Sequence, residues 1–581
     1  MLSGDILLLS PRRGWYGLAV VICALGMATK EVMVTAPVLL LAYDWTFLAG
    51  SLQEIWQRRR RVYAALGATW LLLAYLMISS HLGERQIGPA GDLSAWTYFL
   101  TECRVVVAYL RLALWPQGLV FDYGWINWAE PLGVTLLCAA FLGGLLGGAL
   151  VLWSRRRALG WLGLGFFVLL APTSSFVPIT GQPMAESRLY LPLALLVTAG
   201  VLGSYRLLQR RSLLLFALVG VGFAGLTLLR NQDYQSPLTI WRDTVTKQPN
   251  SARAHFLLAN VLASQRGSQA DALVQYNIVL RLKPDYAEAH DNLATALAGM
   301  PGHEAEALAH YDAALRLKPD SAATHNNLAA LLTNLPGREA DALAHYDAAL
   351  RLEPDLAEVH RNLATLLARL PGRETDALVH YAASLRLNPD SAEAHDNFAT
   401  LLARLPGRAT KALAHYAEAL RLKPNSAEVH YNLAALLARI PGHEAEAETH
   451  CTTALQIKPD FAGAHNNLGA LLAREPGRES EAQGQYVEAL RLNPDYAEAH
   501  NNLANLLANL PGSAAEALDH YAAAVRLKPN SAEAHYNLGL MLERLPDRQS
   551  SARAQFAEAL RLNPNFTAAR DELQQLQQQT R

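Results

Sequence analysis

The sequence predicts an all-α protein, a multi-span transmembrane helical domain followed by an α-solenoid superhelix of short helix pairs. Three observations predict it. Apolar segments crowd residues 1–230, where acidic residues are few. Prolines then recur every 35 residues, at Pro249, Pro284, Pro319, Pro354, Pro389, Pro424, Pro459, Pro494, Pro529 and Pro564, and a fixed period of this length marks stacked repeats. A chain of 581 residues is also too long for one domain.

In the first part, apolar segments lie at 14–29, 32–48, 62–80, 98–120, 132–153, 160–177, 189–205 and 212–229. Several approach the roughly 17–25 residues that cross a bilayer. The first segment has no cleavage site after it and is followed by further spans, so it does not read as a removable signal peptide. Gly143 and Gly147 in FLGGLLGGAL have the small-xxx-small spacing that lets membrane helices approach closely.

Orientation follows from the arginines. Arg12 and Arg13, Arg58 to Arg61, Arg155 to Arg157, and Arg206, Arg210 and Arg211 are all cytoplasmic if positive charge stays inside. That condition holds when 98–120, which carries Arg104 and Arg111, lies in the outer interface instead of spanning. The outer surface then collects Lys30, Glu31, Asp122, Glu186, Arg188 and Tyr190. The chain leaves 212–229 on the outside, which places its second half in the periplasm or a lumen.

The repeats follow a junction and partial helix pair at 231–249. Nine 35-residue units fill 250–564, and a Gln-rich helix at 565–581 provides the polar cap that a solenoid end requires. One unit reads PDSAEAHDNFATLLARLPGRATKALAHYAEALRLK. Its first helix is expected to start at an Asp or Asn cap with Glu three residues on, as in Asp390 and Glu393. It stops at Pro-Gly, for example Pro406–Gly407, because proline cannot continue a helix. A small residue recurs in the first helix (Ala294, Ala329, Ala364, Ala399, Ala434, Gly469, Ala504, Gly539). A large one recurs in the second (Tyr276, Tyr311, Tyr346, Tyr381, Tyr416, Tyr486, Tyr521, Phe556), with Cys451 the exception.

Two files of polar residues share single repeat positions. His255, His290, His325, His360, His395, His430, His465, His500 and His535 form the first. Neighbouring helices pack about 8–10 Å apart, whereas ligands of one zinc ion lie about 2 Å from it, so these read as packing or groove-edge residues and no metal site is expected. The second file is Asn292, Asn327, Asn362, Asn397, Asn432, Asn467, Asn502 and Asn537. An amide offers donor and acceptor together. With peptide rising about 3.3 Å per residue, one asparagine per repeat meets about every third residue of an extended polypeptide without reading its side chains.

The net charge of -1 gives no support for nucleic-acid binding. Cys23, Cys103, Cys138 and Cys451 are far apart with no CxxC, which indicates neither a disulfide framework nor zinc.

The units resemble tetratricopeptide repeats (TPRs), one residue longer than the usual 34, and AHNNLA resembles the repeats of O-linked N-acetylglucosamine transferase, which implies a ladder holding extended protein. Taken together, ATKEVMVTAPVLLLAYDW, LWPQGLVFDY, MAESRLYLP and RNQDYQSPLTIWRDTVTKQPNSARAH resemble the transmembrane and tetratricopeptide repeat-containing protein O-mannosyltransferase family of the GT-C superfamily, in a bacterial form. The resemblance implies a polyprenyl-phosphate sugar as donor and Ser or Thr of secreted proteins as acceptor. Lys30 and Arg188 would pair with the lipid phosphate, with Glu31, Asp122 or Glu186 as nearby carboxylates; whether a divalent metal takes part is open. The family also has leading helices and an acidic first outer loop, and a chain starting MLSGDILLLSPRRGW matches neither. That implies either an N-terminally incomplete sequence or an inactive member.

Two functions follow from these readings. The first is a membrane glycosyltransferase whose extracytoplasmic TPRs recruit the acceptor polypeptide. The alternative is a non-catalytic membrane-anchored TPR scaffold for protein–protein interactions in the cell envelope. In both, polypeptide in the repeat groove and membrane lipid are the partners, and a bacterial inner membrane is the location.

Overall fold

A computed structural model describes residues 18–25, 31–49, 51–80, 95–116, 118–123, 132–171 and 189–579. Every regular element among the described residues is a helix, and none is a strand. The chain forms two compact units, Met1–Pro319 and Asp320–Arg581, so the division falls inside the repeat array.

The first unit opens with the short 3-10 helix Glu31–Thr35 and the helix Ala36–Phe47. Next come Leu52–Ser80, Ala95–Leu114, Leu132–Arg155, Arg157–Leu170, Tyr190–Leu208 and Arg211–Asp233. Leu132–Arg155, Tyr190–Leu208 and Arg211–Asp233 are long and apolar enough to cross a membrane. Their outer faces are bare leucine and valine, including Leu137, Leu207, Leu214, Leu218 and Val221, a surface that suits lipid and not water.

The other apolar segments behave differently. Ala36–Phe47 has 12 residues and Arg157–Leu170 has 14, and at 1.5 Å per residue each falls short of a hydrocarbon layer about 30 Å thick. The helix containing 62–80 begins at Leu52, so the Arg58–Arg61 run lies on the same helix as the apolar stretch. Ala95–Leu114 carries the core of this half. Val105, Val106, Tyr109 and Leu112 pack with Leu142 of Leu132–Arg155 and with Phe166 and Leu170 of Arg157–Leu170.

After Pro237–Lys247, whose capping residue Ser236 accepts from the Thr239 amide, helix pairs succeed one another from Ala252–Ala263 with Gln269–Leu282 to Ala532–Glu543 with Gln549–Leu562. The described residues contain nine such pairs, in a TPR-like solenoid, and Thr567–Gln579 follows them. The first member of each pair is its helix A and the second its helix B.

The cap of helix A differs from the sequence expectation. In the fifth pair it is Ser391, whose hydroxyl accepts from the Ala394 amide at 3.2 Å, and Asp390 lies in the turn before it. Ser251, Ser321, Ser426 and Ser531 act alike. Proline holds its successor in the turn, so the first residue free to cap is the second after it. At the end of helix A the glycine of Pro-Gly adopts positive φ, +71° at Gly407, and Asp547 takes that place with φ 60° in the ninth pair.

Packing within a pair sets the helix B ring on the small residue of helix A. Tyr311, Tyr346, Tyr381 and Tyr416 are buried against Ala294, Ala329, Ala364 and Ala399. Where the sequence has glycine the ring leans closer, and a Cβ at Gly539 would meet the Phe556 ring at 2.6 Å. The phenols find partners, with Thr295, Thr365 and Thr400 hydroxyls 3.0 Å from Tyr311, Tyr381 and Tyr416. Burial raises the Tyr311 and Tyr416 phenols to about 12, which keeps them neutral.

Candidate functional site

The asparagine file lies on helix A two residues after each helix A histidine from His290 onward, and its side chains are half-buried. Most of its members reach back to the preceding repeat. Asn362 Nδ2 donates to Asn326 Oδ1, Asn502 to Asn466 Oδ1 and Asn537 to Asn501 Oδ1, each at 3.1 Å, while Asn432 donates to the Asp396 carboxylate. In the first unit Asn292 Nδ2 donates to Asn260 Oδ1 at 2.9 Å. An amide has two N–H groups and an acceptor oxygen, so the bonds of Asn362, Asn432, Asn502 and Asn537 each hold an amide in one orientation and leave a second N–H and the oxygen for another partner.

Exposed carboxylates stand one turn earlier on helix A, at Glu358, Glu393 and Glu428. Arg361 pairs with Glu393 of the next repeat. Burial, followed by the nearby Glu428 and Glu393 charges, pushes the Asp396 carboxyl above its ordinary value despite the hydrogen bond from Asn432.

The histidine file has a second member that the sequence reading passed over. Helix B carries His310, His345, His380, His415, His450 and His520, all but His450 within a recurring HY. Each meets the helix A histidine twenty residues before it, Nδ1 to Nδ1. The distance is 2.9 Å for His290–His310, His325–His345, His360–His380 and His395–His415, and 2.8 Å for His430–His450 and His500–His520. In the other three repeats Gln275, Gln485 and Gln555 take the helix B place, 2.6–2.7 Å from His255, His465 and His535. In His255, His290, His360, His395, His430, His465, His500 and His535, Nε2 of the helix A ring faces the carbonyl of the proline six residues back, as in His360 to Pro354 at 3.1 Å. A carbonyl only accepts, so Nε2 bears the proton, and in the histidine pairs Nδ1 of the helix A ring accepts from helix B. Among the described residues, no three His, Cys, Asp or Glu side chains are grouped to hold a metal ion.

In the apolar first part of the chain, Lys30, Glu186 and Arg188 lie outside the described residues. Glu31 opens the short helix Glu31–Thr35. Asp122 is 0 % exposed and its Oδ2 lies 3.2 Å from Arg253 Nε on helix A of the first repeat. Nearby, Lys247 Nζ donates to the Leu119 carbonyl at 2.9 Å. Leu119 is therefore tied to the helix Pro237–Lys247, and Asp122 to helix A of the first repeat. Nothing packs within 4 Å of a Cβ at Gly143 or Gly147.

Two buried acids went unnoticed in the sequence. Asp44, inside AYDW, pairs with Arg59 and accepts from the Tyr63 hydroxyl at 2.8 Å. Glu102 is 1 % exposed, on the wall of a cavity of about 290 Å³ lined also by Phe99, Cys103, Leu142 and Phe167. The signal for each was a lone carboxylate within an apolar run.

Comparison with known proteins bears on the repeats. The family described as "TPR repeat" matches residues 406–440 and 512–545, and the one described as "Tetratricopeptide repeat" matches 224–287. The chain thus carries tetratricopeptide repeats. No curated protein matches it. Among solved structures it is similar to YrrB, described as a TPR protein with an unusual peptide-binding site, at 25 % identity over 33 % of this chain and 96 % of that one, with a TM-score of 0.26. It is also similar to a thermophilic TPR protein of Thermus thermophilus, at 23 % identity over 32 % of this chain and 98 % of that one, TM-score 0.28. A third similarity is to the Cut9–Hcn1 complex, at 15 % identity over 74 % and 98 %, TM-score 0.40.

Proposed function

We propose that this tetratricopeptide-repeat protein is a membrane-anchored scaffold that binds extended polypeptide along its file of asparagines. The observation that carries the reading is the set of inter-repeat amide bonds. Asn362, Asn432, Asn502 and Asn537 are each fixed by one hydrogen bond to the repeat before, so their remaining donor and acceptor are oriented before a peptide arrives. Pre-orientation lowers the entropy lost on binding. A backbone amide has the complementary donor and acceptor, which suits recognition without side-chain specificity. The apolar helices hold the array at a membrane, and the arginine distribution favours its extracytoplasmic side.

Sugar transfer from a polyprenyl-phosphate donor is the reading that the family resemblance adds. It requires a carboxylate open to the donor, and Asp122 is enclosed and paired with Arg253, which supports a joint between membrane half and repeats over a catalytic role for that residue.

The test is fluorescence anisotropy of a dye-labelled, permanently unfolded polypeptide with the detergent-solubilised full chain. Binding that falls at least tenfold in an Asn362→Ala, Asn432→Ala, Asn502→Ala variant that stays folded supports the scaffold. Unchanged binding sinks it. Incorporation of labelled sugar from a polyprenyl-phosphate donor into the polypeptide would instead restore the transferase.

A further inference from the structure

The six histidine pairs have no part in peptide binding as described, yet each repeats the same geometry with Nδ1 atoms 2.8–2.9 Å apart. Their donor roles are set from outside. In five of the six, the helix A ring donates from Nε2 to a proline carbonyl, Pro284, Pro354, Pro389, Pro424 or Pro494. The helix B ring therefore supplies Nδ1–H to the helix A Nδ1 lone pair.

Such a pair takes one proton without harm. It goes to Nε2 of the helix B ring, and the bond between the rings becomes charge-assisted. A second proton has only the helix A Nδ1 to occupy, which is the acceptor of that bond. Its arrival removes the bond and leaves two imidazolium ions in contact. The glutamine repeats escape this. Gln275, Gln485 or Gln555 already sets its amide oxygen 2.6–2.7 Å from Nδ1 of His255, His465 or His535, and an oxygen accepts from a protonated ring, so that contact survives protonation.

We propose that the paired-histidine repeats form an acid-sensitive joint, in which mild acid loosens helix A from helix B in the second to sixth and eighth repeats while the first, seventh and ninth hold. Histidine is the side chain whose ordinary range, near pH 6.5, makes such a response available at about pH 5–7.

The charges around the pairs grade the response. One turn before the helix B histidine stand Glu306 for His310, Asp376 for His380, Glu446 for His450 and Glu516 for His520. Asp519 also acts on His520. Asp347 of the preceding helix B and Arg373 act on His380. Asp341 has the corresponding place before His345 and is held by Arg338 at 2.5 Å. The fifth repeat is the exception, because His415 faces Lys411. His395 there lies near Glu418, which is engaged by Arg421 at 2.6 Å. Burial, then the neighbouring imidazole, holds His310, His380, His415, His450 and His520 below the ordinary histidine range. The unfolded chain then takes up protons first as pH falls, so the stability these pairs give is present above about pH 6.5 and is lost on acidification.

Hydrogen exchange of the full chain in detergent at pH 7.5 and 5.5, corrected for the intrinsic pH dependence of exchange, reads each repeat separately. The expected result is severalfold faster exchange at pH 5.5 in the six histidine-pair repeats, smallest in the fifth, with no change in the three glutamine repeats. An equal response in all nine, or in none, overturns the proposal. His380→Gln installs the residue that three repeats already carry, and it should abolish the acid response of the fourth repeat alone. A fourth repeat that still responds in that variant also overturns it.

Discussion

Arg253 Nε and Asp122 Oδ2 lie 3.2 Å apart, although 131 positions separate the two residues in sequence and only one of them is shielded from solvent. The carboxylate is fully buried and the arginine side chain is 45 % exposed. Removal of either partner therefore has unequal consequences.

Arg253→Ala should cost about 2–4 kcal/mol, because it leaves an enclosed carboxylate short of its cation. Asp122→Asn should cost less, about 1–2 kcal/mol, since the freed guanidinium can turn to water. Thermal unfolding of the two variants in detergent checks the order. A larger loss for Asp122→Asn would contradict the burial assignment.

Asp396→Asn should raise the melting temperature at neutral pH, by about 1 kcal/mol of stability. Asn326, Asn466 and Asn501 already occupy this register and accept from the next repeat. Burial raises the folded carboxyl above its unfolded value, so wild type is most favoured when Asp396 is protonated and loses that advantage as pH rises through the folded value. The gain of the variant should accordingly shrink in acid. Melting curves at pH 7.5 and 4 that differ from wild type by the same amount would count against this account.

Asn502→Ala should lower stability by about 1–3 kcal/mol, since Asn466, 1 % exposed, loses its partner across the repeat boundary. Replacing both residues with alanine should cost less than the sum of the single changes, because the pair is then removed whole. Additive effects in this cycle would mean that the bond contributes nothing.

Gly407→Ala should destabilise by about 1–2 kcal/mol, as φ +71° is unfavourable for any residue with a Cβ. Asp547→Gly should be neutral or mildly stabilising, because it restores the residue that other repeats place there. Denaturant titration compares the two, and equal effects would speak against backbone strain.

Much of the fold can be read from the sequence because a 35-residue period repeats the same pattern many times, and a pattern seen in Tyr311, Tyr346 and Tyr381 cannot be accidental. What escapes is contact between positions whose separation no local rule supplies. His360 meets His380 only because a turn of fixed length folds helix B back on helix A, and Asn502 finds Asn466 only across a repeat boundary. Capping was misplaced by one residue because Asp390 and Ser391 are both competent caps, and only the turn geometry after Pro389 chooses between them. In the apolar first part, hydropathy marks 62–80 without showing that Arg59 lies on the same helix and reaches Asp44. Of the candidate site, the asparagine register was legible, whereas its internal partners were not.

The amide bridges of Asn362, Asn432, Asn502 and Asn537 all span the same 36 positions, from one repeat to the residue just before its counterpart in the previous one. Excision of residues 357–391 would set Asn397 against Asn326, a competent acceptor, in place of Arg361. An interior 35-residue unit could therefore be removed or added without breaking this register. The asparagine file would then lengthen or shorten in whole repeats, while the helices before the array stay unaltered.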